Sequence, residues 1–219
     1  DGDRYFVHHQ RFDDGSEYHE VRVHQMFLNK EGWLVVAPYE NNGDEISQTG
    51  YSKEEIVGNY QFINHGTDTT SSIASTLNIR LNDDFTVSGD ITGTWAMEKD
   101  TYYMTITTND ITYSGVFFKQ QDESLEENKV MTFTAIGNNN ESVWGSKLEL
   151  DDSQSVDYAG SYLKNKIPSV TKSDIELPTL GAYDTTITWK SSNEDSISNE
   201  GKVKRTGEDR TVQIYWRGG

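Results

Sequence analysis

Cysteine is absent from the 219 residues, which removes disulfides, zinc–thiolate sites and thiol nucleophiles together. Basic residues are scarce. Against 36 Asp and Glu stand only 19 Lys and Arg, a formal net charge of -17. A surface that acidic repels phosphate backbones and anionic headgroups, so it argues against nucleic-acid and membrane partners and leaves neutral ligands such as sugars open. No apolar run approaches the roughly 20 residues needed to cross a bilayer, and residues 1–20 hold no signal-peptide apolar core. The motifs GxGxxG, GxxxxGK, HExxH and GxSxG are missing as well, which leaves nucleotide, phosphate and common hydrolase chemistry without a signature.

What the sequence does carry is strand. Residues 4–12, 19–28 and 33–37 alternate like three strands, joined by "DDGS" (Asp13–Ser16) and "NKEG" (Asn29–Gly32), whose Asp-Gly and Glu-Gly steps suit hairpin turns. The polar stretch Glu40–Gly50 marks a first boundary. From about Glu54 to Leu150 follow "NYQFI", "SSIASTLNIRL", "FTVSGDI", "GTWAME", "TYYMTITT", "ITYSGVFFK", "KVMTFTAI" and "SVWGSKLEL". Eight short strands at this spacing predict a meander that buries its core by curling into an antiparallel barrel, with no helix-period stripe. The acidic Gln120–Asn128 reads as a solvated loop. Beyond Asp151, Val156, Ala159, Tyr162 and Leu163 fall at helical spacing until Pro168 ends the pattern. The remaining short strands predict a small Ig-like β-sandwich, with the terminal "RGG" outside it. The fold class is therefore all-β, with one short helix, in three regions at 1–45, 50–150 and 155–217.

Candidate chemistry is thin. In "YFVHHQRF" (Tyr5–Phe12) strand alternation puts Tyr5, Val7, His9 and Arg11 on one face and Phe6, His8, Gln10 and Phe12 on the other. Both faces mix apolar and ionisable groups, so either His9 with Arg11 or His8 with Gln10 points into a polar, partly enclosed place. The simpler alternative is a histidine satisfied by a backbone carbonyl. The pairs Asp13/Asp14, Asp83/Asp84 and Asp151/Asp152 fall in turns, where carboxylates bind nearby backbone amides. Trp95 and Trp144 lie inside alternating strands and are expected in the core rather than stacked on sugar. Trp189 is expected in the core of the small sandwich.

The stretch "YFVHHQRF" followed by "EYHEVRVHQMFLNKEGWLVVAPYE" resembles the end of the five-bladed catalytic propeller of glycoside hydrolase family 43, specifically the endo-α-1,5-L-arabinanases. "EEIVGNYQFINHG" through "VMTFTAIGNNNESVWGSK" resembles the lipocalin-like barrel fused behind such propellers. "ITWKSSNEDSISNEGKVKR" is similar to atrophied bacterial Ig-like domains. The resemblance implies the C-terminal, non-catalytic part of a secreted, extracellular bacterial enzyme that hydrolyses α-1,5-L-arabinan with inversion, partnered by the upstream propeller of the same enzyme. It also implies that His9 belongs to a calcium-centred cluster (Ca2+) when a propeller surrounds it. The family's catalytic carboxylates have no counterpart here. Glu20 is the one carboxylate within the propeller-like strands with any claim, and inverting hydrolysis needs a pair. The alternatives are a free-standing carbohydrate-binding module and a structural spacer.

Overall fold

The computed structural model describes residues 3–11, 17–67, 74–122, 129–149, 152–164, 167–181, 185–205 and 207–218. Three antiparallel strands come first, β1 (Arg4–Arg11), β2 (His19–Leu28) and β3 (Leu34–Val36), in the order β1-β2-β3. Val, Tyr and Phe at their alternate positions suit a pleated surface. The expected turn at Asp13–Ser16 lies outside the described residues. The turn at Asn29–Gly32 is closed by Asn29 N–H donating to Trp33 O at 2.8 Å and Gly32 N–H donating to Asn29 O at 3.0 Å. Gly32 adopts φ 84°, a left-handed conformation that a Cβ disfavours. The register sets Phe6 opposite His24, Val7 opposite Val23 and His8 opposite Arg22. Phe6, His8, Arg22 and His24 therefore share one face, and Tyr5, Val7, His9, Val21 and Val23 the other.

A single helical turn, α1 (Lys53–Ile56), precedes the barrel and starts with a capping box. The Ser52 side chain accepts from Glu55 N–H, and the Glu55 carboxylate accepts from Ser52 N–H. Eight strands follow: β4 (Gly58–Asn64), β5 (Leu77–Leu81), β6 (Thr86–Gly89), β7 (Gly93–Met97), β8 (Tyr103–Thr108), β9 (Ile111–Gln121), β10 (Lys129–Gly137) and β11 (Ser142–Lys147). Each pairs with the next, and β11 returns to pair with β4, closing the barrel. The expected antiparallel barrel is thus the observed one. Its first β-hairpin positions include residues 68–73, which lie outside the described residues, as do residues 123–128 of the expected acidic loop. Asp84 performs the turn chemistry expected of it, accepting from Thr86 N–H at 3.1 Å and from the Thr86 hydroxyl at 2.6 Å.

The barrel interior is packed with side chains. Tyr60, Phe62, Trp95, Phe117 and Phe133 are all buried in one cluster with Ile79, Leu81, Met104 and Ile106. The hydroxyl of Tyr60 donates to Ile56 O at 2.6 Å, so α1 seals one end of this core and its own carbonyl is satisfied by the barrel. Along β8 burial alternates strictly, as a strand with one wet face should. In β9 and β10 it does not. The outward Val116 and Phe118 of β9 are buried against Phe27, Val35 and Ala37, from the three-stranded sheet and the residue that follows it. That sheet and the barrel form one compact unit, Asp1–Glu149.

Leu150–Gly219 form the second unit. The predicted helix is α2 (Asp152–Lys164), with Ala159 and Leu163 buried as their spacing required. The sandwich is smaller than expected: among the described residues it reduces to β12 (Ile187–Ser191) paired with β13 (Ile214–Gly218) and two isolated bridges, Leu180 to Thr186 and Ile197 to Val203. The terminal segment expected to lie outside it contributes Arg217 and Gly218 to β13, opposite Thr188 and Ile187. A Cβ on Gly160 would overlap the Trp216 ring, so α2 approaches β13 closely enough that only glycine fits. Trp189 is half-buried, its indole N–H donating to Pro178 O at 2.7 Å.

Candidate functional site

The two histidines of β1 part company. His9 is exposed, with its ring centre 5.2 Å from that of His19 at an interplanar angle of 68°. His8 is half-buried, stacked 5.1 Å from Phe6, with the tilted ring of His24 at 5.4 Å. The partly enclosed place on this strand thus holds His8, while Gln10 stays exposed and the Arg11 side chain lies outside the described residues. His8 Nδ1 is buried without a hydrogen-bond partner. The role of a histidine satisfied by backbone falls to His24, whose Nδ1 lies 2.9 Å from Ala37 O and therefore carries the proton it donates.

The ring contacts continue onto the barrel. Trp144 stacks 6.2 Å from His24 and meets His65 edge-on at 4.3 Å. Trp144 was expected in the core. It is half-buried on the outer face of β11, where its indole N–H donates to Val36 O at 2.7 Å. The pattern of alternation was right, but the apolar face it belongs to is covered by another sheet rather than by the barrel interior. Trp95 is the core residue expected, 2% exposed, with its N–H donating to Asn82 O at 2.9 Å. The His65 imidazole is exposed overall but packed edge-on against Trp144, and the partial loss of water around its cation holds it below its ordinary pKa.

A polar seam lies alongside these rings. Asn29, 2% exposed, donates from Nδ2 to Ser114 O at 3.1 Å while its Oδ1 accepts from Trp33 N–H at 2.8 Å and Glu31 N–H at 3.1 Å. Gln120 pairs with the backbone of Tyr39 as a strand would, donating to its carbonyl at 3.2 Å and accepting from its N–H at 3.3 Å. Buried Asp44 accepts from Gln121 N–H at 2.8 Å and bridges Lys129 at 2.7 Å. These contacts join segments some 80 residues apart, and sequence reasoning missed all of them. Only the Asn29 turn carried a local signal.

No three His, Cys, Asp or Glu side chains gather into a metal cluster among the described residues. His9 and His19 offer nitrogens, whereas calcium takes six to eight oxygens, so this pair does not by itself fit the calcium expected near His9. Glu20 is occupied by Arg22, which also bridges Glu40 at 2.7 Å. Glu20 and Glu40 thus flank one guanidinium, an ion-pair arrangement that engages both carboxylates.

The described residues form a three-stranded sheet packed on a closed, filled barrel, followed along the chain by a helix and a two-stranded sheet. Residues 38–145 match the C-terminal lipocalin-like domain family GH43_C, and residues 151–215 match the atrophied bacterial Ig domain. The chain thus carries these two domains in that order. It is 44% identical over 147 residues to the extracellular endo-α-(1→5)-L-arabinanase 2 of Bacillus subtilis and 40% identical over 151 residues to the extracellular endo-α-(1→5)-L-arabinanase of Thermotoga petrophila. Each alignment covers 67% of this chain, and the chain spans 30% and 31% of the length of these relatives. Among solved structures, the family 43 glycoside hydrolase YxiA of Bacillus licheniformis superposes with a TM-score of 0.62 at 38% identity, covering 68% of this chain and 33% of that one. The endo-1,5-α-L-arabinanase of T. petrophila does so with a TM-score of 0.62 at 39% identity and the same coverage.

Proposed function

We propose that this chain is the C-terminal, non-catalytic part of a secreted bacterial arabinan-degrading glycoside hydrolase, in which β1, β2 and β3 complete the last blade of a catalytic β-propeller and the barrel braces them. The parent reaction is endo-hydrolysis of α-1,5-L-arabinan with inversion. The observation that carries the reading is the asymmetry of the small sheet. Its β2–β3 end is buried on the barrel, while Tyr5, Val7 and Val21 are 45%, 61% and 66% exposed on one face and β1 pairs only with β2 among the described residues. An eight-residue edge strand with an apolar face calls for a covering partner, which the propeller supplies. The relatives named extracellular endo-arabinanases support the same substrate and location. Within that proposal His9 borders a calcium ion through the water of its shell, the oxygen ligands coming from the propeller.

The packed interior of the barrel supports a bracing role over a sugar-carrying one. Purified chain incubated with linear arabinan is expected to release no reducing sugar, and the intact natural product is expected to exceed this chain in mass. Sugar release by the chain alone, abolished by Glu20→Gln, would sink the proposal.

A further inference from the structure

We infer that Asn42 is a site of spontaneous covalent modification, at which the chain cyclises on itself and loosens the hold of the linker on the barrel. The polar segment between the small sheet and the barrel contains Asn42-Gly43, and in all 219 residues no other asparagine precedes a glycine. Both residues are exposed. Among the described residues no hydrogen bond occupies the Asn42 side chain, so its amide can turn toward the main chain. Gly43 adopts φ 79°, and a Cβ there would meet nothing within 4 Å, so that side of its backbone stands open. Its N–H donates to Asn41 Oδ1 at 3.3 Å, beyond the usual range of an N–H···O bond.

The chemistry needs no partner but water. The Gly43 nitrogen gives up its proton and bonds to Cγ of Asn42, while the bond from Cγ to the side-chain nitrogen breaks and that nitrogen leaves as ammonia. The five-membered imide then takes up water at either carbonyl. One opening yields aspartate. The other yields isoaspartate, whose main chain runs through the former side chain and is longer by one methylene. Nothing is oxidised or reduced. Nucleophile and carbonyl stand on adjacent residues, which makes the ring closure unimolecular and is the source of its rate. The other exposed asparagines, Asn109, Asn138, Asn139 and Asn140, each precede a residue with a side chain. Asn138 and Asn139 are also held, their Oδ1 atoms accepting from Thr112 N–H at 3.3 Å and Glu141 N–H at 3.2 Å.

What flanks the site gives the modification its effect. Asp44, 7% exposed, accepts from Gln121 N–H at 2.8 Å and bridges Lys129 at 2.7 Å, pinning the linker to the paired ends of β9 and β10. On the other side Asn41 N–H donates to Val23 O at 2.8 Å. A chain pinned at Asn41 and Asp44 has only the two residues between them in which to absorb an added methylene, so the lengthening displaces Asp44 from its partners. The new carboxylate also joins Glu40, Asp44 and Glu45 in one short stretch. The inference rests on the linker alone and does not require the arabinanase reading.

The test ages the full 219-residue chain in warm, mildly alkaline buffer, maps its peptides by mass spectrometry and separates the aspartate and isoaspartate forms by chromatography. Asn42 should convert before Asn109, Asn138, Asn139 and Asn140, with both products in the same peptide. Asn42→Gln should slow conversion there by about tenfold or more, because the longer side chain closes a six-membered ring less readily. Amide exchange at Gln121 should accelerate in step with the isoaspartate fraction, while freshly prepared Asn42→Asp, which adds the charge without the methylene, should leave it unchanged. Earlier conversion at any other asparagine overturns the site. Gln121 exchange that stays constant as isoaspartate accumulates overturns the coupling to Asp44. Both readings come from the unaltered chain and decide the matter even where a variant folds poorly.

Discussion

Trp144 of β11 donates its indole N–H to the carbonyl of Val36 in β3 at 2.7 Å, a bond between residues 108 positions apart. It lies between His24 of the small sheet and His65 of the barrel. Trp144→Phe keeps most of the ring area and removes the donor, leaving a partly enclosed carbonyl unsatisfied at a cost of about 1–3 kcal/mol. Amide exchange in β2 and β3 should accelerate while the inner barrel strands stay protected. Equal acceleration throughout would show that the bond supports the barrel rather than the seam.

Asn29 separates two jobs in one side chain, since its oxygen holds the turn and its amide holds the barrel. Asn29→Asp keeps the acceptor but points a carboxylate at Ser114 O. Two facing acceptors repel, and the desolvated charge makes this worse than losing a neutral bond, so a loss of roughly 2 kcal/mol or more is expected. Asn29→Ala loses both functions without that repulsion. Denaturation midpoints that rank Asp above Ala in stability would contradict the account.

Gly145 faces the fully buried Phe133, and a Cβ placed there would overlap its ring. Gly145→Ala should cost about 1–3 kcal/mol through overpacking, with the far-UV spectrum of the barrel retained. An unchanged melting temperature would mean that Phe133 has room to move that the structure does not reveal.

Acid should loosen the same unit through His65, whose folded pKa lies below the ordinary value because burial disfavours the cation. The unfolded ring titrates near about 6.5, so on acidification the unfolded state takes up its proton first. The stability this neutral ring contributes is present above that point and is lost as pH falls through the folded value. His65→Gln should flatten this part of the stability curve, measured by denaturant titration from about pH 7.5 to 5. Parallel curves for the two proteins would assign the acid sensitivity elsewhere.

Strand by strand, the barrel was legible because β4 and β8 alternate on a period of two and turn residues separate each run. The seam was not. Burial of Thr132 and Thr134 in β10, or of Asn29 in a turn, follows from what lies on top of them, and no local pattern encodes a neighbour 80 or more positions away. The Ser52-x-x-Glu55 capping box was readable and marks α1, a turn too short to leave an apolar stripe. His9 stands out in sequence as an ionisable residue in an alternating strand, whereas its neighbour His19 on the same face is visible only through the register. The Ig-like region was legible as a domain, while its strand lengths were not, since Ile197 and Leu180 form only isolated bridges among the described residues.

The pairing of β11 with β4 sets Lys147 opposite Tyr60, so the barrel finishes about 5 Å from where it starts. Those two points could be joined by a short peptide and the ring reopened at the surface turn Asn138–Asn140 with every inter-strand ladder intact. For this part of the molecule, the order in which a gene spells the strands is separable from the order in which they stand side by side.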